Sequence, residues 1–598
     1  MKSLLTLHLA ALDNLGQFCS IDITRDVLNV TKRYEEEGDS YLTITLPKLG
    51  KALERGLDQG FWPAHDVSPI WKHTGGLPAF MRGFLSRIFD VNGSLVDSPD
   101  IDCIWAVRQF CYLTQKVERE CSPERVAQAF RQFVSTDREL MGLPGRIDLD
   151  RLLKFEEVSL RLFGPVFQEC DNKIANWELV PKHGPGSVAD RLSQKDRRSY
   201  PYWTNRLEAV FPMWRYTANL PYFPDIVPIS HDNELPVRVV SVPKTQSTPR
   251  IIAIEPSAVQ YAQQGLKREL YELIGRGPLS KVLGFSDQTR NQRLAQDASA
   301  SQRLATLDLS EASDRVHWYL IYRMLRNFPH LWDFVWATRS SRADVPGEGV
   351  IPLQKFASMG SALTFPLEAI VFTTLAICGV EQARNRRLPL RSIPGDVSVY
   401  GDDIIVPVAA IDSVIDWLEH FGAKVNRSKS FWTGKFRESC GGEFYDGHDV
   451  SIERVRHELP SSRNDAAGIA ALADFRNRAY KAGLWKLAGT IDEELDNLIA
   501  LPLASATSES STDVIHRSTF LNLTRHGSRW NATLQRDEVK VPVLVSRSHS
   551  YEKDGESGLL EWFHDALRRG DLVDRYASQE RASAFSINRR WTCYTSLV

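Results

Sequence analysis

Tyr400-Gly401-Asp402-Asp403 places two adjacent carboxylates between two β-branched apolar runs, Val397-Ser398-Val399 and Ile404-Ile405-Val406. Runs of this kind predict strands. Gly401 supplies the backbone freedom of a tight hairpin turn, so the acids are expected at the tip of a strand-turn-strand. Neighbouring carboxylates repel each other and resist desolvation unless a cation compensates them. Oxygen-only ligands favour Mg²⁺ or Mn²⁺, and Mg²⁺ commonly takes one or two carboxylates plus substrate phosphates. The chemistry to expect is phosphoryl chemistry.

A third acid, Asp308, ends the strand predicted over Leu304-Ala305-Thr306-Leu307, and Asp314 follows where the chain turns into a helix expected over Val316 to Leu325. If that strand and the acid hairpin are neighbours in one sheet, Asp308, Asp402 and Asp403 converge on a site for two metal ions roughly 4 Å apart. One ion would lower the pKa of an attacking hydroxyl. The other would bind a triphosphate and stabilise the leaving oxygen. A plainer alternative for Asp308 and Asp314, a strand-end turn followed by a helix N-cap, stays open at this point.

Three further stretches bear on the same chemistry. Short strands over Arg238 to Val242 and Arg250 to Ile254 bracket a loop that carries Lys244 and is closed by Arg250. Ser358-Met359-Gly360 opens a small-residue loop ahead of the apolar run Phe365 to Val380, allowing close approach of a sugar or a nucleic-acid strand. Lys429, in Asn426-Arg427-Ser428-Lys429-Ser430, is a candidate proton donor to a leaving pyrophosphate. Charged loops and lone lysines are more often plain solvated surface.

These residues must be positioned by a chain of 598 residues, enough for three to four domains or subdomains and a sizeable core. Composition is that of a globular protein, with 43% hydrophobic and 25% charged residues. The net charge of −2 argues weakly against nucleic-acid binding, but Val180 to Ala305 holds 17 Lys and Arg against 11 Asp and Glu. The eight cysteines are scattered without a C-x-x-C pair and read as reduced cytosolic thiols. Met1 to Ala11 predicts an amphipathic helix rather than a signal peptide, since Asp13 follows without a cleavage site. Phe365 to Val380 is too short to span a bilayer and carries Glu368, so it reads as a core helix, and no membrane association is expected.

Helices are also expected over Leu46 to Leu57 and Ser122 to Phe133, and through Ile274. Val180 to Pro228, rich in Pro, Trp and Tyr, predicts irregular structure whose aromatics either stack bases or pack locally. The region after Asp449 is expected to be mostly helical, with a flexible loop over Ala504 to Thr512.

In order, the blocks resemble the right-hand RNA-dependent RNA polymerases, and specifically the replicase catalytic (β) subunit of positive-strand RNA bacteriophages. The match covers about Lys182 to Val450. It runs through Val242-Pro243-Lys244 with Arg250 to Pro256, Asp287 to Arg293, Asp308 to Asp314, Ser358-Met359-Gly360 with Thr364-Phe365, Tyr400 to Asp403, and Phe436 to Gly441. The resemblance implies an α+β right-hand fold: an N-terminal region 1–179, fingers over 180–305, palm over 306–450 and a thumb-like region 451–598.

It further implies Asp308 and Asp402 as principal metal ligands with Asp403 supporting, two Mg²⁺ or Mn²⁺ ions, and Lys244 and Arg250 gripping an incoming NTP. Asp314 and Ser358 would read the ribose 2′-hydroxyl beside Gly360. Asp287 and Asn291 fall where the family has polar residues on its fingers. Glu368 stands where many RNA polymerases carry a sugar-reading Asn. Implied partners are template and product RNA, NTPs, and host elongation factors Tu and Ts with a ribosomal protein, in the cytoplasm of a bacterial host.

The activity so implied is RNA-directed, primer-independent RNA synthesis. A reverse transcriptase shares the paired acids, but Gly401 and Asp314 in place of a bulky sugar-excluding residue weigh against it. A silent RNA-binding scaffold would not need all the acids, and a two-metal nuclease leaves Lys244 and Arg250 without a task.

Overall fold

A computed structural model describes residues 4–67, 70–192, 200, 202–217, 228–506, 514–521, 528–546 and 585–593. The chain is α+β and divides into two units. One comprises Met1–Ala52, Pro63–Arg119 and Ile452–Val598, the other Leu53–Trp62 and Glu120–Ser451.

In the first unit, the amphipathic opening of the chain forms the helix Leu4–Phe18, which buries Leu7, Ala11, Leu12 and Leu15. Its Asn14 carboxamide accepts the N–H groups of Lys486 and Leu487 at 2.6 and 3.1 Å, satisfying first-turn amides of the helix Trp485–Leu498, which has no side-chain cap of its own. The expectation of a mostly helical C-terminal region holds as far as Leu498 and fails beyond it. Leu503–Ser505 pairs in parallel with Arg517–Thr519, and Ser528–Asn531, Arg536–Ser546 and Phe585–Thr592 form an antiparallel sheet. The signal is a period of two: Val539 and Val541 are buried with Ala504 and Val514, while Lys540 between them is exposed. Of the loop expected over Ala504 to Thr512, the start lies in a strand and 507–513 fall outside the described residues.

The second unit is built on the helix Thr364–Arg384, buried on all sides as a core helix should be. It is long and apolar enough to cross a membrane by length and composition, but 94% of that stretch is inside the protein. Against it lies a three-stranded sheet whose central strand, Asp403–Pro407, pairs antiparallel with Ser398–Tyr400 on one side and Leu304–Leu307 on the other. Ile404, Ile405 and Val406 are all buried, so this central strand is covered on both faces, as its unbroken apolar run requires.

A four-stranded sheet holds Arg250–Ile254, Val237–Val242, Arg342–Val345 and Gly349–Pro352 in that order, and Phe436–Ser439 pairs with Gly442–Tyr445 in a third sheet. Helices occur where the apolar spacing requires them, over Pro123–Leu140, capped by Ser122, and Ser257–Arg276. Between 180 and 228 the described aromatics divide. Tyr200 and Trp203 are buried in a ring cluster with Phe211, whereas Tyr202 and Trp214 are exposed.

Candidate active site

Residues Tyr400 and Asp403 face each other across the hairpin, so Gly401 and Asp402 form a two-residue turn. Gly401 has φ +62°, and a Cβ there would stand 2.5 Å from the Phe365 ring. The turn thus needs glycine for both conformation and space. Because Ile404 pairs with Leu307, Asp308 emerges from its strand beside Asp403. The neighbouring-strand condition for three converging acids is met.

A second layer of contacts fixes Asp308. Residues 425–431 run alongside its strand through the bridges Thr306–Phe431 and Leu309–Val425. Asn426 donates its side-chain amide to Asp308 Oδ2 at 2.7 Å and its N–H to the Asp308 carbonyl at 2.9 Å. Lys429 Nζ stands 3.9 Å from Asp308 Oδ2 on a side chain that is 49% exposed, so this lysine is a surface charge that also faces the acid. The 432–434 turn that follows is held by Asp58, whose Oδ1 accepts the N–H groups of Trp432, Thr433 and Gly434 at 3.1, 3.0 and 3.1 Å.

Asp403 points its Oδ1 to the Cys440 N–H at 3.1 Å and the Ser439 hydroxyl at 3.3 Å. Asn291, buried, accepts from the Ser398 hydroxyl at 2.7 Å and donates to Ser439 Oγ and to the Asp403 carbonyl, tying the acid hairpin to the Phe436–Ser439 strand. Asp287 instead caps its own turn, accepting from the Thr289 N–H and hydroxyl.

Electrostatics follow from this crowding. Burial and then the Asp402 charge push Asp403 up to about 6, against the Cys440 N–H. Burial raises Asp308 as well, with Asp402 adding to the effect and Lys429, Asn426 and Lys244 opposing it. Burial works against the Lys429 ammonium, yet Glu438, Asp308, Asp403 and Asp402 hold its pKa above the ordinary lysine value. Lys244 is depressed by burial and by Lys429 and Arg250, while Asp308 and Asp402 counter them. Lys244, Arg250, Lys429, Asp308 and Asp402 therefore share one field. The loop of Lys244 spans a true hairpin, Val242 facing Arg250.

Asp314 and Ser358 are brought into direct contact, the Ser358 hydroxyl donating to Asp314 Oδ1 at 2.8 Å. Asp314 lies in a 3₁₀ turn, Ala312–Arg315, and is not the N-cap of the following helix Trp318–Leu325; His317 is. Gly360, at φ +129°, lies against the carbonyl of Ala253, whose N–H donates to Met359 O at 2.8 Å. The close approach at this glycine is to the Arg250–Ile254 strand. Glu368 is 7% exposed, its Oε2 has no hydrogen-bond partner, and burial, Asp402 and Asp314 together raise its pKa well above the carboxylate range.

No local pattern pointed to Lys355, which is wholly buried with its ammonium 3.2 Å from Asp314 Oδ1. Nor did it point to Asp58, 374 residues away from Trp432. Glu438, whose pKa burial lifts to about 8, lay unremarked inside a motif. A lone polar residue in an unremarkable local pattern carries no signal of a distant partner.

Among the described residues, no three His, Cys, Asp or Glu side chains already stand as a closed metal-binding group. The donor chemistry nonetheless suits a hard divalent cation: oxygen donors only, two of them raised by mutual repulsion and burial that a positive charge would relieve.

Residues 228–464 match the family model described as RNA replicase, beta-chain. The RNA-directed RNA polymerase subunit beta of Qbeta virus (strain MX1) is 37% identical over 225 residues, 38% of this chain and 36% of that one. The RNA-directed RNA polymerase beta chain of Escherichia phage MS2 is 36% identical over 212 residues, 36% of each chain. The alignments span about a third of the length of these relatives. Among solved structures, an insertion-loop deletion mutant of the RNA-dependent RNA polymerase of a human picobirnavirus superposes at TM-score 0.32 with 13% identity, over 44% of this chain and 57% of that one. Every site residue singled out from the sequence, from Lys244 to Lys429, falls inside the segment that matches this family model.

Proposed function

We propose that the protein is the RNA-directed RNA polymerase of a positive-strand RNA bacteriophage, copying template RNA from NTPs without a primer. The observation that carries this reading is the pairing of Ile404 with Leu307, which sets Asp308 beside the acid hairpin, with Lys429 Nζ 3.9 Å from Asp308 Oδ2. Cations gathered beside acids suit a triphosphate that arrives with its own counter-ions. Asp308 and Asp402 would hold two Mg²⁺ or Mn²⁺ ions, with Asp403 in support. When bound, such ions neutralise charge on the attacking and leaving oxygens.

The chain's own residues have separate tasks in this scheme. Lys244 acts as a point charge and Arg250 as a fork on the triphosphate. Lys429, kept protonated by four surrounding acids, delivers its proton to the departing pyrophosphate. Asp314 accepts a hydrogen bond from the ribose 2′-hydroxyl while Ser358 steadies it. The segment 306–450 serves as palm, 180–305 as fingers, 451–598 as a thumb-like region and 1–179 as an N-terminal region. Host elongation factors Tu and Ts and a ribosomal protein complete the assembly in the bacterial cytoplasm.

The test is template-dependent NTP incorporation by the purified chain, with and without those host proteins, and with dNTPs in parallel. Asp402→Asn should abolish incorporation, a loss of about 100-fold or more, as for other groups that face developing charge. Asp403→Asn should be partly tolerated. Intact incorporation by Asp402→Asn would refute the assignment, and a preference for dNTPs would favour a reverse transcriptase.

A further inference from the structure

A lysine with no exposed surface is costly unless its charge is met. Lys355 is 0% exposed, and its ammonium has three neighbours: Asp314 Oδ1 at 3.2 Å, the Phe133 carbonyl at 3.4 Å and the Phe133 ring, whose centroid is 3.5 Å away. Asp314 is its one anionic partner among the described residues. The backbone at Lys355 is fixed as well. Its N–H donates to Asp137 Oδ1 at 2.9 Å and its carbonyl accepts from Arg339 at 2.8 Å.

Both donors to Asp314, Lys355 Nζ and Ser358 Oγ, converge on Oδ1. No donor among the described residues reaches Oδ2, and the side chain remains 19% exposed. A carboxylate held by one oxygen and open at the other is an acceptor with a fixed direction. Glu368 Oε2 is buried without a hydrogen-bond partner, and the Asp402 and Asp314 charges add to the burial that raises its pKa.

We propose that Lys355 is a positioning residue for sugar selection: its buried ammonium locks Asp314 Oδ1 so that Oδ2 is presented to the 2′-hydroxyl of the incoming nucleotide. This rests on the reading of Asp314 as the ribose-facing acid. Without the ammonium, Asp314 keeps the single bond from Ser358 and can swing about it. A deoxynucleotide then no longer pays for an acceptor left unpaired in a fixed place.

The readout is the ratio of kcat/KM for an NTP to that for its dNTP, measured on the full chain in the same reconstituted reaction. Asp314→Ala and Lys355→Met should each lower the ratio by about 10-fold or more, since a site built to bond a hydroxyl discriminates through that bond. The double variant should fall no further than either single one, the mark of two residues acting as a unit. A merely structural lysine would depress both substrates alike and leave the ratio unchanged. If Asp314→Ala lowers the ratio and folded Lys355→Met does not, the inference fails while the ribose reading of Asp314 survives. If Asp314→Ala also leaves it unchanged, both are overturned. Should Lys355→Met not fold, Lys355→Leu removes the ammonium with a shorter apolar side chain, and an unchanged ratio in that variant equally overturns the inference.

Discussion

The Asn426 carboxamide donates to Asp308 Oδ2 at 2.7 Å while the Asn426 N–H bonds the Asp308 carbonyl at 2.9 Å, so one residue holds the acid at both ends. It leaves Oδ1 as the carboxylate oxygen free of that amide. Replacing Asn426 with Ala should therefore lower turnover about 10- to 100-fold, the usual cost of losing an outer partner of a ligand, and raise the Mg²⁺ concentration needed for half-maximal rate. Steady-state incorporation across a Mg²⁺ titration checks this, and an unchanged metal dependence would count against the role.

Lys244 lies in the hairpin loop that Arg250 closes, and burial, with Lys429 and Arg250 adding to it, lowers the Lys244 pKa. An arriving triphosphate relieves that repulsion. Lys244→Met should raise the KM for NTPs by about 10- to 100-fold, the value of a charge-assisted hydrogen bond. Arg250→Lys should also raise it, because the fork is lost although the charge is kept. Initial rates over a range of NTP concentrations separate this from a fall in kcat alone.

Gly360 has no room for a side chain: a Cβ would overlap the Ala253 carbonyl, and φ is +129°. Gly360→Ala must part the 358–360 loop from the Arg250–Ile254 strand at a cost of about 1–3 kcal/mol or more. Urea unfolding should report that loss. NTP affinity should weaken with it, since the same strand carries Arg250 and the same loop carries Ser358.

Glu255, 3% exposed, has its pKa raised to about 7 by burial, against bonds from Ser340 and Gln263. Its folded pKa lies above the ordinary 4.5, so the folded state binds the proton more tightly. The stability it contributes is fully present below about pH 4.5 and is lost as pH rises through about 7. Glu255→Gln should remove this dependence, leaving the wild type less stable relative to the variant by about 3 kcal/mol between pH 4.5 and 8. Melting temperatures of both proteins across that range check the sign.

How far the residues themselves disclosed the fold depended on distance along the chain. The acid hairpin was legible because two β-branched runs, a glycine and a two-residue turn lie within ten residues of one another. The core helix and the Lys244 hairpin were legible for the same local reason. Lys355 with Asp314, 41 residues apart, and Asn426 with Asp308, 118 apart, were not, because only tertiary packing brings them together. The strands beyond Leu503 were missed because Arg536–Ser546 opens on Arg536, Asp537 and Glu538, and Lys540 and Pro542 interrupt its valines, so no continuous apolar run marks it.

Asp58 supplies the only carboxylate among the described residues that binds all three amides of the 432–434 turn, yet it belongs to a ten-residue segment, Leu53–Trp62, separated in sequence from the rest of its unit. A fragment beginning at Glu120 would contain every motif and still leave that turn with three unanswered donors beside Lys429. During synthesis, the clamp has nothing to close on until the ribosome has passed Gly434. Asp58→Ala should leave those three amides without their acceptor and cost about 1–3 kcal/mol of stability in urea unfolding.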